Sequence, residues 1–253
     1  MARSFNGTDQ SFYADRGTGA PTGLATGTSF SMACWVNFAA FPGSGSLTFL
    51  GKGFDGTDTN YFFQVDSTPT VQVGAFNGTT QGVNGSYTAG TGVWTHIYGD
   101  WNGSVWSIWF NGNSQASGST TGPSVIVNPR YFVMAAADAT GTAGSFTQWT
   151  NCSLADCAVW SGPLNSTDIG NISGKTLGGG PNSAGRASTA TNTGRTLLGY
   201  WPLNGSTNTE TDHSANGINA TGSGATSPGV VADPIQLQPF GFTAVTLMGA
   251  ICM

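Results

Sequence analysis

Charge is what this sequence has least of. Lys, Arg, Asp and Glu make up 8% of its 253 residues, against about a quarter in an ordinary soluble domain. Only Lys52 and Lys175 are lysines and the formal net charge is −5. There is no basic patch, which excludes nucleic acid as an expected partner. Glutamate is scarcer still: Glu210 stands alone among 12 acidic residues, and no strand-like run carries two acids in alternation. Glycoside hydrolysis needs two carboxylates flanking the scissile bond, so a hydrolase is the least favoured reading. His96 and His213 are the only histidines, and neither stands beside a serine or cysteine nucleophile motif. The residues therefore point away from an enzyme. Long apolar runs are missing as well, so no membrane-spanning helix is expected. The opening Met1 to Gly7 has no apolar core, and a secretory signal peptide is not expected. Cys34, Cys152, Cys157 and Cys252 lack metal-ligand spacing and sit in apolar, strand-like surroundings, which reads as free buried thiols.

What fills the space is 39 glycines together with serine, threonine and asparagine. Such a surface is hydrated through neutral polar groups and suits an extracellular or particle-bound protein. Helical periodicity is nearly absent. Short alternating runs separated by turn residues predict a sandwich of antiparallel strands. Asn-Gly pairs begin at Asn6, Asn77, Asn84, Asn102, Asn111, Asn204 and Asn216, each able to supply the positive φ of a tight turn. Strands are expected at Ser4 to Tyr13 (with a turn), Ser29 to Phe38, Leu47 to Lys52, Tyr61 to Asp66, Thr70 to Phe76, Tyr131 to Ala135, Leu154 to Trp160 and Thr196 to Leu203. In the second of these, Met32, Cys34 and Val36 share one face. One helical turn is expected over Leu164 to Ile169, capped by Asn165 with Asp168 three residues on. Residues 178–194 read as a flexible loop. Ile235 to Met253 is apolar but broken by Pro239, Gly241 and Gly249, and reads as a terminal arm or strand that attaches the protein to a surface.

The stretch from Gly92 to Gly112 holds four of the eight tryptophans. A hairpin turning on Asn102-Gly103 pairs positions whose numbers sum to 205. It sets Ile97, Gly99 and Trp101 against Ile108 and Trp106 on a core face. The opposite face carries Trp94, His96, Tyr98, Asp100 and Trp109. Flat aromatic surfaces beside a few polar groups suit a sugar. A subunit interface, or a second layer of protein, would cover them equally well, and burial by protein is the favoured reading.

Five blocks in order resemble the laminin-G-like, concanavalin A-type jelly rolls. They are Arg3 to Gly7 with Tyr13; Phe30 to Val36; Gly92 to Gly112; Leu154 to Trp160 followed by Leu164 and Ile169; and Gly199 to Leu203 leading to Asp212-His213-Ser214-Ala215-Asn216-Gly217. The Tyr-Trp-Pro-Leu block often opens such domains and here closes one, which paired terminal strands accommodate. The resemblance implies an all-β, two-sheet jelly roll over residues 1–234, with residues 235–253 as the arm. Relatives with this fold often bind calcium through oxygen-rich loops, so Asp55, Asp58 and Asn60, or Asp212, Ser214 and Asn216, are the metal candidates. Plain Asx-turns are the alternative for both loops. Stand-alone proteins with this beginning resemble ones of tailed bacteriophages. The function this implies is a non-enzymatic virion surface protein, a capsid decoration or fibre-type module. It would be held by contacts with other virion proteins and with copies of itself, and would present a lectin-like face to glycans. A free carbohydrate-binding lectin is the alternative.

Overall fold

The computed structural model describes residues 2–14, 24, 28–53, 60–76, 79–119, 122, 130–174, 193–224 and 229–231, without the side chain of Asn60. In chain order the first strands are β1 (Ala2–Asn6), β2 (Ser11–Ala14), β3 (Phe30–Phe38), β4 (Ser46–Lys52), β5 (Asn60–Asp66) and β6 (Thr70–Phe76). Next come β7 (Thr80–Ser86), β8 (Thr95–Trp101), β9 (Trp106–Phe110), β10 (Asn113–Gly118), β11 (Phe132–Met134), β12 (Ala137–Asp138) and β13 (Phe146–Thr147). The remainder is β14 (Asn151–Trp160), the helix α1 (Ser166–Ile172), β15 (Leu197–Trp201), β16 (Thr209–Glu210), β17 (Ala220–Ser223) and β18 (Gly229–Val231).

These form two antiparallel sheets packed face to face, a jelly roll. Sheet 1 has the order β10-β9-β8-β3-β14-β1-β18, with β15 also paired to β14. Sheet 2 has the order β16-β17-β2-β11-β4-β5-β6-β7. The core lies between them because alternation drives one face of each strand inward. Met32, Cys34 and Val36 of β3 join Ile97 and Ile108 from sheet 1 and Phe63, Val65, Val71 and Val73 from sheet 2 in one buried cluster. Each such side chain contributes roughly 1.5–3 kcal/mol of transfer free energy. Gly99 is required in this core: a Cβ there would lie 2.6 Å from Val73 Cγ2 and 2.7 Å from Phe63 Cε1. Cys34, Cys152 and Cys157 are free and buried.

The first and last of the described strands meet in sheet 1, where Ala2 of β1 pairs with Val231 of β18. Beside that junction the Arg3 guanidinium donates from Nε to Glu210 Oε1 at 2.6 Å, with both side chains almost wholly buried. A second Arg3 nitrogen donates to the Thr207 carbonyl. The single glutamate is thus a structural partner that ties β1 to β16.

The tryptophan-rich hairpin forms with a register different from the expected one. Ile97 faces Phe110, Gly99 faces Ile108 and Trp101 faces Trp106, so paired numbers sum to 207. The connection is a four-residue loop closed by Asn102 N–H donating to the Val105 carbonyl at 3.2 Å. Asn102 Oδ1 accepts from Ser104 N at 2.9 Å and Val105 N at 2.8 Å, an Asx-turn that makes the loop wider than two residues. A shift of two preserves the period, so the assignment of residues to faces stands. The tight two-residue turn belongs to the next Asn-Gly pair: Asn111 (φ 49°) and Gly112 (φ 72°) join β9 to β10, with positive φ at both central residues.

The short helix matches its expected cap. Asn165 Oδ1 accepts from Asp168 N at 2.9 Å and its amide donates to Asp168 Oδ2 at 2.8 Å. The strands β7 and β10 carry too few apolar residues to be read from sequence, and pairing with their neighbours defines them. Residues 178–192 and the arm at 235–253 lie outside the described residues.

Candidate functional site

The five aromatic and polar residues singled out on the hairpin do share the outer face of sheet 1, and the chain itself covers most of them. His96, Tyr98 and Asp100 are buried, while Trp94 and Trp109 are half-buried. The cover is the segment leading from β14 into α1. Tyr98 packs with Trp160, Leu164, Ile169, Ile172, Leu197 and Tyr200, and Trp109 lies against this cluster. Trp94 packs elsewhere, beside Trp35, Ala2 and Ala155. The segment is pinned by hydrogen bonds. Leu164 N–H donates to the Tyr98 hydroxyl at 2.8 Å, and the Ser31 hydroxyl donates to the Gly162 carbonyl at 2.7 Å. Burial pushes the Asp100 carboxyl up to about 7, and its hydrogen bond with the Tyr98 hydroxyl offsets this only in part. Burial likewise holds the Tyr98 hydroxyl well above the usual phenol range, with the Asp100 charge as the next cause.

On the same face, a β-bulge between Ala155 and Ala158 of β14 aims Asp156 (φ 50°) outward, where it accepts from the Tyr200 hydroxyl at 2.8 Å. With Ala33, His96, Ala158, Trp160 and Ile172 these residues line a hollow of about 20 Å³. That is room for a water molecule, not for a sugar ring.

Of the two calcium candidates, Asp55 and Asp58 lie outside the described residues, as does the Asn60 side chain. In the other loop Asp212 Oδ1 accepts from Tyr200 N at 2.9 Å and Ser214 N at 2.8 Å. Its Oδ2 accepts from the Ser214 hydroxyl at 2.7 Å and Ile218 N at 2.8 Å. Asn216 donates from its amide to the Leu198 carbonyl at 2.8 Å. These bonds fix a turn over β15, and Asp212 spends its oxygens on the chain. Among the described residues no three His, Cys, Asp or Glu side chains gather as a metal site would need.

The outer face of sheet 2 is different, and the sequence reading passed over it. Thr48 pairs with Gln64, Gln64 with Gln72, and Gln72 with Asn84, which lays four neutral polar side chains in one row across β4, β5, β6 and β7. Gln64 donates to the Thr48 hydroxyl at 3.2 Å, which in turn donates to Gln148 Oε1 at 2.8 Å. A second row, Ser46, Asp66 and Thr70, runs beside the first. The two rows enclose a cleft of about 100 Å³ lined by Ser46, Gln64, Asp66, Thr70, Gln72 and Asn84. At the Gln148 end, half-buried Trp149 packs against Phe146 at 6.1 Å within a cluster that includes Tyr13 and Tyr131. The signal was present in part: Gln64 and Asp66, and Thr70 and Gln72, alternate with apolar residues in two expected strands. Asn84 lies on β7, for which no strand was expected, so the row could not be completed.

Two sheets of this topology, with a single short helix among the described residues, accord with the match of residues 7–170 to the family model of the concanavalin A-like lectin/glucanases superfamily. The chain belongs to that superfamily. Its fold is the concanavalin A-like, lectin-like type. No curated protein matches the chain. Among solved structures, a Bacteroides ovatus protein proposed to bind carbohydrate is similar at 17% identity and TM-score 0.60, over 92% of this chain and 60% of that one. The chain therefore spans about three fifths of that protein's length. The heptameric SAP-like pentraxin of Limulus polyphemus is similar at 14% identity and TM-score 0.49, over 66% of this chain and 83% of its own.

Proposed function

We propose that this superfamily member is a non-enzymatic glycan-binding module displayed on a bacteriophage virion. The observation that carries glycan binding is the inequality of the two outer faces. Sheet 1 is roofed by the chain's own helix and linker, whereas sheet 2 holds an open cleft of hydrogen-bonding groups, five of its six lining residues uncharged. Glycosidase chemistry uses a pair of carboxylates, and this cleft is lined by one, Asp66. Glu210 is committed to Arg3 in the interior. The virion location is supported by the resemblance of the opening residues and the block order to stand-alone phage proteins. A surface hydrated by neutral groups supports it too. The apolar segment from Ile235 to Met253 is the expected attachment element, through contacts with other virion proteins or with copies of itself.

The test has two arms. A glycan array with the purified chain, run beside a reducing-sugar assay, is expected to give binding without turnover. Immunogold labelling of purified particles is expected to decorate their surface, and deletion of Ile235 to Met253 is expected to remove the label while leaving the β-sheet circular dichroism intact. Turnover would overturn the non-enzymatic reading. Unlabelled particles with intact glycan binding would leave a free lectin.

A further inference from the structure

Resting on the glycan-binding reading, we infer that the cleft on sheet 2 is the binding subsite and that it selects neutral, hydroxyl-rich sugars over anionic ones. Every lining residue is polar, and five of the six are uncharged. Gln64 is buried and held by Thr48, so its position is fixed before any ligand arrives. Among the described residues, the side-chain amides of Gln72 and Asn84 have no hydrogen-bond partner in the chain. Each carries two donors and an acceptor, the complement of a sugar hydroxyl that both gives and takes. The cleft's volume suffices for several water molecules, which sugar hydroxyls can replace bond for bond.

Asp66 sets the charge preference. Its Oδ1 accepts from Thr68 N, the Thr68 hydroxyl and Thr70 N, each at 2.9 Å. These bonds lock the carboxylate at the β5–β6 turn, and among the described residues Oδ2 is left available to ligand donors. Burial works upward on this carboxyl, but the hydrogen bonds from Thr70 and Thr68 outweigh it and hold Asp66 below the usual carboxylate range. The group is therefore ionised at neutral pH. An ionised oxygen accepts strongly from hydroxyl donors and repels a uronate or sulfate, and the chain's net charge of −5 acts in the same direction.

The experiment measures binding of neutral gluco-, galacto- and manno-oligosaccharides, with polygalacturonate and a sulfated polysaccharide as anionic comparators. It uses the full chain and the variants Gln72→Ala, Asn84→Ala and Asp66→Asn. The neutral set is expected to bind and the anionic set not to. Gln72→Ala and Asn84→Ala are each expected to weaken binding by about tenfold, the effect of one lost hydrogen bond. Asp66→Asn is expected to narrow the gap between neutral and anionic ligands. Because Asp66 also caps a turn, its melting temperature is measured alongside, and Gln72→Ala and Asn84→Ala carry the localisation independently. Neutral-sugar binding that survives both amide variants, or a preference for the anionic set, would overturn this inference and leave glycan binding standing. A wild-type chain that binds no glycan would overturn both.

Discussion

The tryptophan-rich hairpin and the plain strands β5 to β7 form the two halves of one comparison. The hairpin has the chemistry that attracts attention: Trp94, His96, Tyr98, Asp100 and Trp109 on one face. The structure makes Tyr98 and Trp109 of that face the floor of a second, smaller core beneath α1 and packs Trp94 beside Trp35. Strands β5 to β7 offer glutamine, threonine and asparagine, and they line an open cleft. Aromatic density in this chain marks where protein packs on protein, because a large ring is worth most when water leaves both its faces. The cleft that meets solvent is lined by polar side chains, all uncharged but Asp66. The comparison yields a division of labour: substitutions on sheet 1's outer face should move stability and leave ligand binding alone, and those in the cleft should do the reverse.

The largest effect should come from Asp100. Its carboxyl is raised from 3.8 to about 7 by burial. The folded chain therefore holds this proton more tightly than the unfolded chain does. The resulting stabilisation is complete below about pH 4 and is lost progressively as pH rises to about 7. A shift of that size corresponds to up to about 4 kcal/mol. Asp100→Asn should remove this slope and raise stability at pH 8 by on the order of a few kcal/mol, read by urea unfolding at a series of pH values. Parallel curves for the two proteins would break the assignment. Next, Gly99→Ala places a methyl against Val73 and Phe63 and should cost roughly 1–3 kcal/mol of stability through overpacking. An unchanged urea midpoint would mean that the two sheets have room to separate. Tyr98→Phe removes the acceptor for Leu164 N and a donor to Asp100, and should cost about 1–3 kcal/mol. Glycan affinity in Tyr98→Phe should match the parent chain. A large loss there would make the hairpin face part of the site after all.

The fold was legible because its signals are local and repeated. Alternation in Phe30 to Phe38 and in Thr70 to Phe76 gives strand and face together, and Asn165 with Asp168 gives the helix cap. The family resemblance then supplied the jelly roll. The hairpin register was harder, since Asn-Gly at 102 and at 111 are identical as text. Only the side chain of Asn102, bonded to Ser104 and Val105, decides which pair makes the tight turn. The cleft was the least legible. Its row exists only when β4, β5, β6 and β7 lie side by side, and β7, with Thr80, Gly82, Asn84 and Ser86 on its outer face, has almost nothing apolar to announce it. Asp212, Ser214 and Asn216 show the opposite difficulty. Their spacing suits either a cation or a turn, and the hydrogen bonds of Asp212 to Tyr200, Ser214 and Ile218 show them building the turn.

The smallest stability effect sharpens the comparison most. Gln72 stands on a central position of β6, flanked by Gln64 and Asn84, and a substitution in mid-sheet is usually felt. Yet its side chain faces the cleft, and within the described residues it makes no hydrogen bond. Truncation to alanine removes no internal contact of that kind, and the β-ladder on either side is carried by the backbone. Gln72→Ala should therefore shift unfolding by no more than about 0.5 kcal/mol, the range of surface changes away from structural features. The same protein should lose about tenfold in affinity for a neutral oligosaccharide. A melting shift as large as that of Tyr98→Phe would place Gln72 among the structural residues. The two outer faces would then differ in polarity alone, and the division between holding the fold and meeting the ligand would fail.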